Sequence, residues 1–251
     1  MSKFARITAL VLAFSAAAPA FADKVNVAVA ANFTAAMNEI APLFTEATGH
    51  EAVVSFGSTG KLYTQIQNGA PFGVFLAADA KRPALAEKDG LGVTGTRFTY
   101  ALGRLALWSK DPALVDDRGE VLKGGKFTHL AIANPKTAPY GAAAVEVIAK
   151  LGLDQALEPK LVRGDNIAQT YQFVATGNAE LGFVALAQIA LLDGAERGSA
   201  WRVPQELYAP IEQQAVLLKR DEGNPAAKAF LEFLRGPEAS AVIERFGYGL
   251  M

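Results

Sequence analysis

VNVAVAANFTAAMNEIAPLF, residues 25–44, sets the fold. Val25 to Ala30 is a short β-rich run. Phe33, Met37, Ile40, Ala41 and Phe44 then recur at helical spacing. A strand that runs straight into an amphipathic helix is the first half of an α/β unit. Pro42 lies inside that helix and predicts a kink, because it removes one backbone hydrogen bond.

The alternation continues outward from this stretch. Ala52–Phe56 and Val74–Ala77 read as strands, and Leu62–Asn68 and Pro83–Asp89 as helices, the first closed by Gly69. Leu105–Trp108, Leu130–Ala133 and Leu181–Val184 read as further strands. Tyr140–Leu151 and Ile167–Thr176 read as helices. Ile211–Lys219 is strand-like, and Asn224–Arg235 and Glu238–Phe246 are terminal helices, the second opened by Pro237. Strands that alternate with helices across short loops predict parallel sheets covered on both faces. The extended segments Tyr100–Ser109 and Tyr208–Lys219 are candidates to cross between two lobes. The expected organisation is therefore one lobe from 23–102, a second from 103–211, and a return to the first over 212–251.

Residues 1–22 read as an export signal. Lys3 and Arg6 precede an uncharged run from Ile7 to Ala18, and Ala20-Phe21-Ala22 fits the small-x-small cleavage pattern. The run is too short to span a bilayer. Cleavage after Ala22 and a periplasmic location are expected, with the protein free, since no lipobox cysteine exists. This segment holds two of the 24 basic residues and none of the 25 acidic ones, which leaves residues 23–251 mildly acidic. That balance argues against nucleic acid as a partner. With no cysteine and two distant histidines, His50 and His129, a zinc site is not expected.

Ligands of open α/β sheets bind beyond the carboxyl ends of strands. Four strand-to-helix turns qualify. In Ala30-Ala31-Asn32-Phe33-Thr34, Asn32 or Thr34 can cap the helix, or Asn32 can turn its amide to a ligand. Ser55-Phe56-Gly57-Ser58-Thr59-Gly60-Lys61 has two hydroxyls between glycines at a helix start, which favours an anion seat over a plain polar turn. It is not a Walker A loop, because Ser55 replaces the opening Gly and Leu62 follows Lys61. In Asn134–Gly141, Pro139 stiffens the entry, and Tyr140 either packs or aims its hydroxyl into a cleft. In Gly164-Asp165-Asn166-Ile167, free backbone N–H groups stand at a helix start, with Asp165 or Asn166 as N-cap. None of the four turns brings Arg forks together, so the donors are neutral, a set suited to a dianion in a dry cleft.

These stretches carry a resemblance. VNVAVAANFTAAMNEIAPLF (25–44), VVSFGSTGKLYTQIQNGAP (53–71), IANPKTAPYGAAAVEVIAKLG (132–152), LVRGDNIAQTYQFVATGNAELGFV (161–184) and FLRGPEASAVIERFGY (233–248) together resemble the molybdate-binding proteins of bacterial ABC importers. The likeness spans nearly all of the chain after residue 22. It implies a type II periplasmic-binding-protein fold, two α/β lobes with a ligand cleft between them. It further implies capture of molybdate, and usually tungstate, for a membrane permease and its ATPase, with no cofactor and no catalysis. Molybdenum then enters only as the oxyanion.

By position, the implied ligand-binding residues are Asn32, Ser58 and Thr59 from the first lobe, and Tyr140 and Ile167 from the second, Ile167 through its backbone N–H. Many members have Ser at the place of Asn32, a small residue at the place of Tyr140, and Tyr where this chain has Ala185. The phenol missing at Ala185 is then supplied from Tyr140. The family stretch A-P-A-D-V-F is here Ala70–Phe75 with Phe72 and Gly73. The expected protein is a monomer. The alternatives are a binding protein for sulfate or phosphate, or a periplasmic enzyme on the same fold, which would need a base beside Ser58.

Overall fold

The structure, a computed structural model, describes residues 23–251; the expected signal segment and its cleavage site lie outside them. The elements, in chain order, are β1 (Lys24–Ala30), α1 (Thr34–Thr48), β2 (Glu51–Gly57), α2 (Thr59–Gln67), β3 (Val74–Leu76), α3 (Lys81–Lys88), β4 (Phe98–Gly103) and β5 (Leu105–Ser109). They continue with α4 (Val121–Gly124), β6 (Leu130–Ala133), α5 (Pro139–Lys150), α6 (Asp154–Leu157), β7 (Leu161–Gly164), α7 (Ile167–Ala175) and β8 (Leu181–Ala185). The chain ends with β9 (Ser199–Arg202), β10 (Ile211–Leu217), α8 (Pro225–Arg235) and α9 (Pro237–Arg245).

The strands form two five-stranded sheets, in the orders β2-β1-β3-β10-β4 and β7-β6-β8-β5-β9. Each sheet has a parallel core of three strands, β2-β1-β3 and β7-β6-β8. The expectation of parallel sheets throughout needs correction. In the first sheet β10 runs antiparallel to β3 and β4, and in the second β5 runs antiparallel to β8 and β9. The reason is topological. β5 and β10 enter their sheets from the opposite lobe, without the crossover helix that makes neighbours parallel.

Arg104 alone connects β4 to β5, and the return runs through residues 203–210. Gly103 and Ile211 pair with each other in the first sheet, so the chain changes sheets just inside both of these residues. The last helices pack back on the first sheet, and Gly249 exchanges two backbone hydrogen bonds with Leu102, at 2.8 and 2.9 Å.

Side chains of β1 alternate between two cores, as a period-2 strand requires. Val25, Val27 and Val29 meet Phe33, Met37, Ile40, Phe44 and Phe230, while Ala28 meets Leu62, Tyr63 and Phe75. The second sheet is covered on both faces in the same manner. Leu107, Ile132 and Phe183 face Val147 and Ile148, and Ala131 and Val184 face Val174. Helix α1 continues through Pro42 to Thr48. Pro42 is exposed, so the carbonyl left without a helical partner lies on the solvent side, where water can satisfy it.

Candidate functional site

Two turns of the first lobe build one wall. Beyond β1 the chain makes a short 3₁₀ turn, Ala31–Phe33, before α1. Asn32 is buried there, and it caps no helix. Its Nδ2 donates to Gln213 Oε1 at 2.6 Å and to the Tyr248 hydroxyl at 3.1 Å. The amide that the sequence offered to a ligand is therefore committed inside the protein. The Asn32 backbone N–H stays unpaired at its early turn position. Thr34 donates its hydroxyl to the Ala31 carbonyl at 2.8 Å.

Beyond β2, Ser58 has the extended backbone of an N-cap, yet its side chain caps nothing. Ser58 Oγ is buried without a hydrogen-bond partner among the described residues. Thr59 Oγ1 accepts from the Ala78 N–H at 3.0 Å, which leaves its own proton free. The N–H groups of Ser58 and Thr59, at the head of α2, have no backbone acceptor.

The second lobe supplies the facing wall. Pro139 occupies the first turn of α5, where its missing N–H costs nothing. Gly141 follows because any Cβ there would run into the Ala133 carbonyl, so only glycine lets α5 start against the end of β6. Tyr140, 1% exposed, reaches back toward the first sheet, and its hydroxyl accepts from Gln213 Nε2 at 3.4 Å. At α7 the N-cap is Asn166, which accepts from the Gln169 N–H at 3.0 Å. Asp165 instead pairs with Lys61 across the lobes at 2.9 Å. Ile167 is buried at the first position of α7, where its N–H has no helical acceptor.

Asn32, Ser58, Thr59, Tyr140 and Ile167 all line one small hollow between the lobes. Its remaining lining is Ala30, Ala31, Gly57, Ala78, Ala138, Pro139 and Asn166, so among the described residues no charged side chain lines it. The charges gather at the mouth instead. A crevice of about 530 Å³ between the lobes is lined by Asp79, Lys81, Arg82, Lys136, Glu146 and Glu212, among others. Three contacts join the lobes near this mouth. Gly60 N–H donates to the Thr137 carbonyl at 2.8 Å, Arg82 Nη2 donates to the Lys136 carbonyl at 3.3 Å, and Lys61 meets Asp165. A Cβ on Gly60 would stand 3.0 Å from Thr137 Cα and press the two backbones apart by a few tenths of an ångström, so this approach favours glycine.

Behind the hollow lies a neutral polar cluster that the sequence reading did not name. Gln213, fully buried on β10 at a register shift in the ladder, accepts from Asn32 and, at 3.2 Å, from the Tyr100 hydroxyl. The Tyr248 hydroxyl donates to the Asn32 carbonyl at 2.8 Å. Burial pushes the Tyr100 and Tyr140 phenols well above their ordinary range, and the neighbouring tyrosines push the same way. Burial also raises Tyr248. All three stay protonated wherever the protein is folded at ordinary pH. The one signal in the sequence was Glu212-Gln213-Gln214, a polar run between Ile211 and the apolar Ala215-Val216-Leu217 of the same strand. Ala185 is buried, its N–H donating to Gln188 Oε1 at 2.9 Å, and it does not line the hollow. Neither histidine lines the hollow: His50 accepts from the Asp23 N–H, and His129 lies 4.0 Å from Glu180 with half its side chain exposed.

The site can thus present unpaired N–H groups from several helix starts, together with hydroxyl protons, to one small anion. Fixed neutral dipoles of this kind stabilise charge without rearranging. Known proteins share this architecture. A molybdate-binding protein ModA of Azotobacter vinelandii is 58% identical over 247 residues, covering 97% of this chain and 98% of its own. Another, from Rhodobacter capsulatus, is 57% identical over 241 residues, 96% of this chain and 94% of its own. The solved structure of an Azotobacter vinelandii periplasmic molybdate-binding protein superposes with a TM-score of 0.87 at 43% identity, covering 90% of this chain and 99% of that one. The model of bacterial extracellular solute-binding proteins matches residues 25–249, and with two mixed α/β lobes closing on one hollow, the chain belongs to that family.

Proposed function

We propose that the protein captures molybdate between its lobes and delivers it to the permease of an ABC importer. The observation that carries this is Ser58 Oγ, a buried hydroxyl without a partner, set among unpaired helix-start N–H groups in a hollow with no charged side chain. A dianion completes all of these donors at once. The ligand-binding set is Asn32, through its backbone N–H, with Ser58, Thr59, Tyr140 and Ile167. The binding lobes are 23–103 with 211–251, and 104–210, one residue from the expected bounds at each crossing because Gly103 and Ile211 pair within the first sheet.

Capture makes and breaks no covalent bond. The anion favours the closed state because only that state brings both donor sets to it. The permease reopens the clamp, and its ATPase drives transport. Tungstate, with the same charge and shape, is held by the same donors. Sulfate is smaller, and rigid donors do not follow it inward. The protein works as a periplasmic monomer after removal of residues 1–22.

Titration calorimetry with molybdate, tungstate, sulfate and phosphate tests the reading. Tight binding is expected for the first two, and at least about 100-fold weaker binding for the others, a gap equivalent to roughly 2.7 kcal/mol. Sulfate bound more tightly than molybdate would overturn the assignment.

A further inference from the structure

We propose that Gln213 is a positioning residue that makes Tyr140 a proton donor to the bound oxyanion; this rests on the reading of the hollow given above. One group of the cluster has a fixed role. The Asn32 backbone carbonyl only accepts, so the Tyr248 hydroxyl, 2.8 Å away, commits its proton to it. Tyr248 oxygen is then left as an acceptor, and the Asn32 Nδ2 beside it at 3.1 Å must be the donor. The other hydrogen of that NH₂ goes to Gln213 at 2.6 Å, which makes this atom of Gln213 the oxygen. The Tyr100 hydroxyl shares its one proton between the same oxygen, at 3.2 Å, and the Ala77 carbonyl, at 3.3 Å.

The opposite end of Gln213 is consequently the NH₂, and it faces the Tyr140 oxygen at 3.4 Å. Tyr140 receives a hydrogen bond there, so its own proton is available to the hollow that it lines. An acceptor at the position of Gln213 Nε2 would draw the phenol proton backward and turn a lone pair toward the anion. A Cβ on Gly103 would collide with the Tyr140 hydroxyl, so glycine at this end of β4 leaves the phenol its room. Gln213 therefore sets the direction of a relay that begins on a backbone carbonyl of the first lobe and ends on a phenol of the second.

The titratable groups around Gln213 are Tyr100 on β4, Tyr140 on α5 and Tyr248 after α9. Asp79 and Tyr208 lie further out and act on Tyr100 and Tyr140 respectively. The tyrosines keep their protons up to alkaline pH, and full burial at this position raises a carboxyl far above its ordinary range, so a carboxyl introduced in place of Gln213 is the group of the cluster expected to change charge between about pH 6 and about pH 9.

The test compares the effect of Tyr140→Phe on molybdate affinity, by calorimetry, in three backgrounds. In the wild type it should weaken binding about 10-fold or more, the scale of one hydrogen bond to a charged group. In Gln213→Glu at pH 9, where the carboxylate only accepts, Tyr140→Phe should be neutral or should tighten binding. At pH 6 the introduced carboxyl is protonated and donates again, and Tyr140→Phe should cost affinity once more. General repulsion by the new charge is present with and without the phenol, so it does not produce this change of sign. Gln213→Met, which adds no charge, should reduce the cost of Tyr140→Phe to about 3-fold or less and serves if the Gln213→Glu variant does not fold. The same cost of Tyr140→Phe in all backgrounds, with wild-type molybdate binding intact, overturns the role of Gln213 alone. Absence of molybdate binding by the wild type sinks the functional reading and this inference with it.

Discussion

A buried hydroxyl without an acceptor costs a folded protein roughly 1–3 kcal/mol. Ser58 carries such a group at the head of α2. Ser58→Ala is therefore expected to leave the ligand-free melting temperature unchanged or slightly raised, while molybdate affinity drops about 10- to 100-fold. A thermal melt and a titration of the same sample check both halves, and a lowered melting temperature with unchanged affinity would contradict the assignment. Residue by residue, the hollow was legible to different depths. Ser58 and Thr59 stood out because two hydroxyls between glycines at a helix start are rarely there for packing. Asn32 was visible as a position but not as a geometry. Its amide partners, Gln213 and Tyr248, lie 181 and 216 residues away, and local sequence does not reveal such pairings.

Helices and strands were read best where they face a core. Helix α1 keeps Met37, Ile40 and Phe44 in one stripe with Phe33 just before it, and the Phe44 ring packs against Phe230 of α8 with ring centroids 5.3 Å apart. Phe230→Ala should cost about 3–5 kcal/mol in a denaturant titration, the usual range for removing a fully buried phenyl. A loss below about 1 kcal/mol would mean that α8 can collapse into the gap. Helix α2 begins three residues before its apolar pattern, at Thr59 and not Leu62. Its first turn is directed at the other lobe, so no hydrophobic periodicity marks it. Gly60→Ala should weaken ligand affinity by pressing on the Thr137 backbone and loosening the 2.8 Å bond across the lobes. Small-angle scattering of the liganded variant should show a more open particle, and unchanged dimensions and affinity would rule this out. Strands β7 and β9 escaped sequence reading because each has only four residues and lies at a sheet edge. With few inward side chains, an edge strand has little pattern to read.

At the scale of the molecule, the tyrosines set an alkaline limit. Tyr63 is raised to about 12, by burial first and then by its bond to Asp89, and Tyr100, Tyr140 and Tyr248 are also raised by burial. In the unfolded chain these phenols titrate near pH 10. Between that pH and the higher folded values, the folded state binds more protons than the unfolded one, so stability falls as pH rises. Denaturant midpoints should be insensitive to these groups up to about pH 9 and should decline above about pH 10. A flat profile to pH 11 would contradict the buried, protonated cluster. The two-lobe plan was readable from the strand-helix alternation and the two extended segments. The antiparallel strands were not, since strand direction depends on which lobe the preceding segment came from.

The two connections between the lobes are unequal. One is the single residue Arg104, and the other runs from 203 to 210. Arg104 is further tied at its carbonyl, which accepts from the Leu186 N–H at 2.8 Å. A tether of one residue permits almost no sliding, and the longer one is held to the second lobe by the Val203 N–H on the Leu105 carbonyl at 3.1 Å, the Leu105 N–H on the Tyr208 hydroxyl at 3.1 Å and the Ala209 N–H on Glu146 at 2.7 Å. The clamp is therefore built like a door hung on two pins set side by side, at Arg104 and just before Ile211, and the swing of any surface point should grow with its distance from the line through them.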